Sequence, residues 1–100
     1  MIDRSKWYVC YTYDYTPLSW INEKAIEFPS EEVAKRFIYG TRWKGLVPYK
    51  ASITWIFGNI KFEDIPSSQI EAEVPGFWTR YNEYDDILEE EYDDEYYRIE

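Results

Sequence analysis

A run of carboxylates near the C-terminus limits what the rest of this chain can fold into. Nine of the thirteen residues in 83–95 are acidic, and residues 81–97 contain no basic side chain. Carboxylates at this density repel one another, and a charge run of this kind is usually solvated. We therefore expect a dense core from the many aromatic residues of the chain.

The length and the aromatic content predict one folded domain. A chain of 100 residues buries only about 60 to 65% of its unfolded surface, which excludes two separate cores. Its 21% of aromatic residues is far above what a disordered acidic chain carries. We expect residues 1–80 to form an aromatic α+β body, and residues 81–100 to form an acidic, tyrosine-rich segment packed on the same domain.

Two β-hairpins are predicted from runs of β-branched and aromatic residues. Residues 6–13 are the clearest strand, with alternate side chains on opposite faces. The segment 18–28 follows a turn and is expected to pair with it as a first hairpin. A second hairpin is expected from 51–57 and 60–62, which flank the turn signal Gly58-Asn59.

Helical spacing is present in two places. Ser30 is a helix cap and Gly40 a left-handed stop, which predicts a helix over 31–39. Apolar residues also recur at helical spacing within the acidic run, at Tyr81, Tyr84, Leu88 and Tyr92. The predicted fold class is α+β, with a mainly antiparallel sheet of about four strands, one covering helix, and an acidic aromatic C-terminal helix or arm.

The net charge of −9 is unevenly distributed along the chain. Residues 1–50 hold 8 basic and 6 acidic side chains, whereas residues 51–100 hold 3 basic and 14 acidic ones. Either the acidic segment packs back over the basic middle of the chain, or the two poles face different partners. The candidate basic patch consists of Lys35, Arg36, Arg42, Trp43 and Lys44.

The spacing of the carboxylates resembles that of phosphates in a duplex. A helix over 83–95 would be about 20 Å long at roughly 1.5 Å per residue, or one charge per about 2 Å. Duplex DNA carries one charge per roughly 1.7 Å of its axis. The spacing therefore suggests a DNA mimic that binds a basic partner through Glu83, Tyr84, Asp85, Asp86, Glu89, Glu90, Glu91, Tyr92, Asp93, Asp94 and Glu95.

Other functions remain open on the sequence alone. The acidic segment could serve solubility only, with the body acting as a non-catalytic protein-interaction module. The basic patch could also bind nucleic acid, with the acidic segment as an internal competitor. We expect no enzyme, cofactor or metal site, because the chain has no histidine and no carboxylate pair is singled out by its surroundings. Cys10 is expected to be a small core residue.

In small size, acidity, a lone cysteine and the run Glu89-Glu90-Glu91-Tyr92-Asp93-Asp94-Glu95, the chain resembles the acidic inhibitors that phages and mobile elements carry against host restriction or CRISPR systems. The resemblance is one of composition over the last fifth of the chain. It implies a stoichiometric anti-restriction or anti-CRISPR inhibitor whose partner is a basic host nuclease or CRISPR effector. We expect a cytoplasmic protein that binds neither nucleic acid nor membrane directly, and a homodimer stays open.

Overall fold

The computed structural model describes the backbone of residues 4–89 and the side chains of residues 4–84. Within this range the α+β class is confirmed, although the strands do not form one four-stranded sheet. The elements in chain order are β1 (Lys6–Tyr11), β2 (Ala25–Glu27), α1 (Glu31–Thr41), β3 (Leu46–Ala51), β4 (Asn59–Lys61), a 3-10 turn (Phe62–Asp64), α2 (Ser67–Glu73) and α3 (Phe77–Glu89).

Alternate side chains of strand β1 lie on opposite faces, as predicted, and both faces are buried at the centre of the strand. Val9 packs into the main hydrophobic cluster, which also contains aromatic rings from the helices. Tyr8 and Cys10 point the other way and form a second cluster with Ala25. One short strand therefore separates two parts of the core.

The first predicted hairpin is wrong, because β1 pairs with β3 instead. The antiparallel register runs from Lys6 opposite Ala51 to Tyr11 opposite Leu46. The chain that follows forms only isolated antiparallel bridges with β1, at Pro17 opposite Cys10 and at Phe28 opposite Trp7. Asn22 and Glu23 both adopt positive φ angles, of 50° and 61°, so the segment turns there and cannot continue as a strand.

Strand β3 was not predicted from the sequence, because Gly45 and Pro48 are residues typical of loops. Pro48 stands opposite Val9 and has no N–H to donate. Both strands of a two-stranded sheet are edge strands, and a proline is tolerated in an edge strand such as β3. Gly45, with φ of 81°, permits the turn that leads into the strand.

The second predicted hairpin is also wrong. Strand β4 pairs in parallel with β2, and residues 52–55 form no strand. The Asn59 side chain holds this segment in place: its carbonyl accepts from Trp55 N–H at 3.0 Å, and its amide donates to the Ile53 carbonyl at 2.7 Å. Side-chain hydrogen bonds thus replace a strand ladder.

Helix α1 begins as predicted and ends later. The Ser30 hydroxyl accepts from Val33 N–H at 3.2 Å, which confirms the cap. The helix continues through Gly40 to Thr41, and Arg42 adopts the left-handed conformation with φ of 62°. Gly40 is needed for a different reason, since it is buried against the Phe77 ring of α3.

Helix α3 starts at Phe77, so the predicted boundary between residues 80 and 81 falls inside it. Glu71 of α2 accepts hydrogen bonds from Gly76 N–H at 2.6 Å and Trp78 N–H at 3.3 Å. This carboxylate satisfies backbone donors at the positive end of the helix dipole. The part of the predicted acidic helix or arm at residues 90–100 lies outside the described residues.

The centre of the core is a group of aromatic rings around Phe37. This ring has centroids of four other rings within 5.0–5.6 Å, contributed by Trp20, Phe28, Phe62 and Phe77. Three of the four pairs are edge-to-face, and such pairs add about 0.5–1.5 kcal/mol each beyond their buried area. Rings from five separate segments of the chain meet here, so the cluster joins the helices to the strands.

We expect Gly40→Ala to destabilise the fold. A Cβ at this position would lie 2.7 Å from Phe77 Cε1 and 3.2 Å from the Phe77 carbonyl oxygen. The overpacking cost of about 1–3 kcal/mol exceeds the gain of roughly 0.5–1 kcal/mol that alanine brings to a helix. Urea denaturation measures the difference, with the exposed α3 variant Thr79→Ala as control. An equal or higher midpoint for Gly40→Ala would contradict the close packing.

Stability should fall at high pH through Cys10. Burial, with a smaller contribution from Asp14, raises the pKa of this thiol from 9.0 to about 11. The stabilisation is complete below pH 9, where the thiol is protonated in both states, and is lost as pH rises to 11 because the unfolded chain ionises first. We expect a loss on the order of 2 kcal/mol.

The pKa values of Tyr8 and Tyr11 are also raised, chiefly by burial, and they act in the same direction. Cys10→Ala isolates the contribution of the thiol. Its free energy of unfolding, measured in urea from pH 8 to 11, should depend less steeply on pH than that of the wild type. Parallel curves for the two proteins would exclude the thiol as a cause.

Candidate functional site

An open groove of about 1020 Å³ lies between α1, the segment 42–48 and α3. It combines four basic side chains with an apolar wall, and we call it the cationic groove. Its lining residues are Glu31, Lys35, Ile38, Tyr39, Arg42, Trp43, Lys44, Leu46, Val47, Pro48, Arg80 and Glu83.

The end of α1 sets the position of the Arg42-Trp43-Lys44 segment. The buried Thr41 hydroxyl donates to the Ile38 carbonyl at 2.8 Å and accepts from Trp43 N–H at 3.1 Å. The Trp43 ring stands edge-on to Trp20, with centroids 4.8 Å apart. Trp43 is nevertheless 41% exposed, so its ring is fixed at one edge and accessible elsewhere.

Two of the groove cations have no acidic partner within residues 4–84. Among the described residues, the exposed side chains of Arg42 and Lys44 form neither an ion pair nor a hydrogen bond. Lys35 is paired with Glu31 at 3.5 Å, and both side chains of that pair are about half exposed. Such a pair contributes little to stability. The groove therefore keeps positive charge that the body does not neutralise.

Arg80 is a groove residue that the sequence reasoning missed. Its Nε donates to the Gly40 carbonyl at 2.8 Å and its Nη2 to the Pro75 carbonyl at 3.2 Å. Both acceptors are neutral, so these bonds orient the guanidinium without neutralising its charge. The signal in the sequence was faint: Arg80 is the lone basic residue between Lys61 and Arg98.

Arg36 was predicted to belong to the basic patch, and the structure places it elsewhere. Its Nε and Nη2 donate to the Tyr81 carbonyl at 3.3 and 3.1 Å. Its Cζ also lies 4.5 Å from the centroid of the Tyr81 ring. Helical periodicity explains the difference, because adjacent residues on α1 point about 100° apart and only Lys35 turns to the groove. Arg36 instead ties α1 to α3.

The residues of the predicted acidic site fall into four groups. Glu83 is exposed and lines the groove. Tyr84, expected to meet a partner, is instead only 3% exposed, and its ring packs 5.5 Å from that of Tyr39. Asp85, Asp86 and Glu89 lie on the backbone of α3. The other candidates, Glu90, Glu91, Tyr92, Asp93, Asp94 and Glu95, lie outside the described residues.

Exposed aromatic and apolar residues also occur away from the groove. Tyr15 and Tyr49 are 53% and 40% exposed, with ring centroids 5.1 Å apart. Ile56 and Phe57 form an exposed turn.

Comparisons with protein-family models, curated proteins and solved structures found no significant match to this chain. Within residues 4–89, no helix is long and apolar enough to cross a membrane. The same described part holds no cluster of three or more side chains of the types that ligate metals. The functional interpretation therefore depends on the groove and on the acidic segment.

A comparison of Arg36 with its neighbour Lys35 tests which cation is structural. We expect Arg36→Gln to lower the free energy of unfolding by about 1–2 kcal/mol, because it removes hydrogen bonds from a charged donor and a cation–π contact. Lys35→Gln, one residue away on the exposed side, should change it by less than about 0.5 kcal/mol. Urea denaturation measures both. Equal effects would mean that Arg36 does not join the helices.

Proposed function

We propose that this protein is a non-catalytic inhibitor that binds a basic nucleic-acid-binding protein through its acidic C-terminal segment. The carboxylates of 83–95 take the place of phosphates in the channel of the target. The target is a host defence nuclease or a CRISPR effector, and the inhibitor is encoded by a phage or a mobile element. The observation that carries the proposal is the way in which α3 is anchored.

One side of α3 is held by the core. Phe77 is fully buried and meets the Phe37 ring of α1 edge-on, with ring centroids 5.3 Å apart. Tyr84 is also buried, and its ring centroid lies 5.5 Å from that of Tyr39 on α1. Arg36 adds hydrogen bonds to the backbone of α3 at Tyr81. Glu83 is exposed on the same helix. The acidic run thus starts on a fixed helix, which lowers the ordering cost of binding.

The distribution of charge supports the same proposal. Residues 4–84 hold ten basic and ten acidic side chains and are neutral as a set. The negative charge of the protein therefore belongs almost wholly to the residues that follow Tyr84. A basic partner is attracted to this end of the molecule, and the body neither adds to that attraction nor opposes it.

A second function is favoured by one specific observation, the exposed Trp43 between two cations that have no acidic partner within residues 4–84. Aromatic residues and arginines are typical of protein-binding hot spots. In this alternative the Arg42-Trp43-Lys44 segment contacts the partner and the acidic segment serves solubility. The two functions place the contact in different parts of the chain, its middle and its acidic C-terminal segment, so one set of variants separates them.

The test uses two triple variants with the same change in net charge. Glu89→Lys, Glu90→Lys and Glu91→Lys together move the formal charge from −9 to −3, since each reversal adds two units. Glu63→Lys, Asp64→Lys and Glu73→Lys make the same change on the exposed surface of the body. The tagged full-length proteins are used to capture partners from a lysate of the native host, and the captured proteins are identified by mass spectrometry.

We expect the wild type and the body variant to retain basic nucleic-acid-binding proteins, which added duplex DNA then displaces. The Glu89, Glu90 and Glu91 variant should lose them at least tenfold, with a thermal midpoint close to that of the wild type. Capture should weaken as salt rises. Normal capture by that variant would refute the proposal, and loss on Trp43→Ala alone would establish the second function.

A further inference from the structure

The cationic groove has the properties of a binding site for an acidic, aromatic peptide segment. Arg42 and Lys44 have no acidic partner among the described residues, and Arg80 is held by two carbonyls. Glu83 is the acidic groove residue that is left to balance these three positive charges, because Glu31 is already paired with Lys35. A ligand with several carboxylates would complement this excess of positive charge.

The wall of the groove is apolar as well as basic. Ile38, Leu46, Val47 and Pro48 are half-buried there, and the exposed Trp43 ring stands beside them. A simple inorganic anion would leave this surface uncovered. A ligand that also carries aromatic rings would cover it, since rings pack on apolar side chains and on guanidinium planes.

The chain contains a segment of this composition. Residues 90–97 hold five carboxylates and three tyrosines and no basic residue. They follow directly on α3, whose Glu83 lines the groove. The six residues from Glu83 to Glu89 advance about 9 Å along the helix, and eight further residues can reach back over at most about 26–29 Å. The groove is therefore within reach of the segment.

We propose that residues 90–97 dock in the cationic groove of their own chain, with their carboxylates on Arg42, Lys44 and Arg80 and their tyrosines on the apolar wall. Attachment to α3 gives the segment an effective concentration in the millimolar range, which favours it over any untethered ligand. The net charge of −9 opposes the approach of nucleic acid, the other polyanion that such a groove could bind.

Docking in this way does not depend on the function proposed above. It holds for any protein with this groove and this segment. Where the chain also acts as an inhibitor, a basic target must compete with the groove for the same carboxylates. The free protein then presents a neutralised groove, and binding of the target exposes it.

The test measures the distance between the segment and the groove in the full-length protein. Tyr97→Cys is labelled with a nitroxide; Cys10 is buried and its thiol pKa is raised to about 11, so it does not react. Paramagnetic broadening of the backbone amides is then recorded by NMR. We expect strong broadening at residues 42–46 and at the Trp43 indole. Little broadening is expected at Lys6 and Lys61, which line a second pocket on the surface.

Charge reversal supplies the matched control. Arg42→Glu with Lys44→Glu should reduce the broadening at residues 42–46 several-fold, whereas Lys6→Glu with Lys61→Glu, which makes the same change in net charge at exposed sites, should leave it unchanged. If the first variant fails to fold, a salt titration of the labelled parent protein replaces it, and the broadening should decrease as ionic strength rises.

Three results would overturn the proposal. The first is no broadening near the groove at low salt. The second is broadening of an unlabelled, isotope-enriched chain mixed with a labelled one, which would make the occupant a second copy. The third is binding of a single-stranded oligonucleotide with contacts at residues 42–46, which would make the groove a nucleic-acid site. None of these measurements involves the inhibited target, so failure here leaves the proposed function to its own test.

Discussion

The close approach of α3 to α1 is the contact on which the rest of this structure depends. Phe77 lies against Gly40 at a distance that leaves no room for a Cβ, and Arg80 reaches across the same point to the Gly40 carbonyl. The approach brings Phe77 into the ring cluster around Phe37. It also sets where α3 points after its last core contact, and hence where the acidic residues begin.

Charge and packing are separated along α3, and this separation links the fold to the proposed function. The first part of the helix supplies rings to the core, while acidic residues increase toward its end. The cationic groove lies beside the same helix, with Arg80 and Glu83 on its wall. The helix that leads into the acidic segment therefore runs beside the four basic side chains that line the groove.

Local patterns were reliable where one segment decides its own structure. The cap at Ser30 and the alternation along β1 depend on neighbouring residues, and both are present. Strand pairing was not reliable, because it depends on which segments meet. Gly45 and Pro48 looked like loop residues and lie in or next to β3, whereas Gly58-Asn59 looked like a hairpin turn and precedes a parallel strand.

The site shows the same division. The distribution of residue types along the sequence determined that the chain has an aromatic body, a cluster of cations in its middle and a dense acidic segment at its end. Tertiary structure decided which cations act together: it separated Arg36 from Lys35 and added Arg80 from a helix that is far away in the sequence. It also buried Tyr84. The reason is physical. A side chain's type follows from the sequence, but its neighbours follow from helix phase and from the packing of segments that are far apart in the chain.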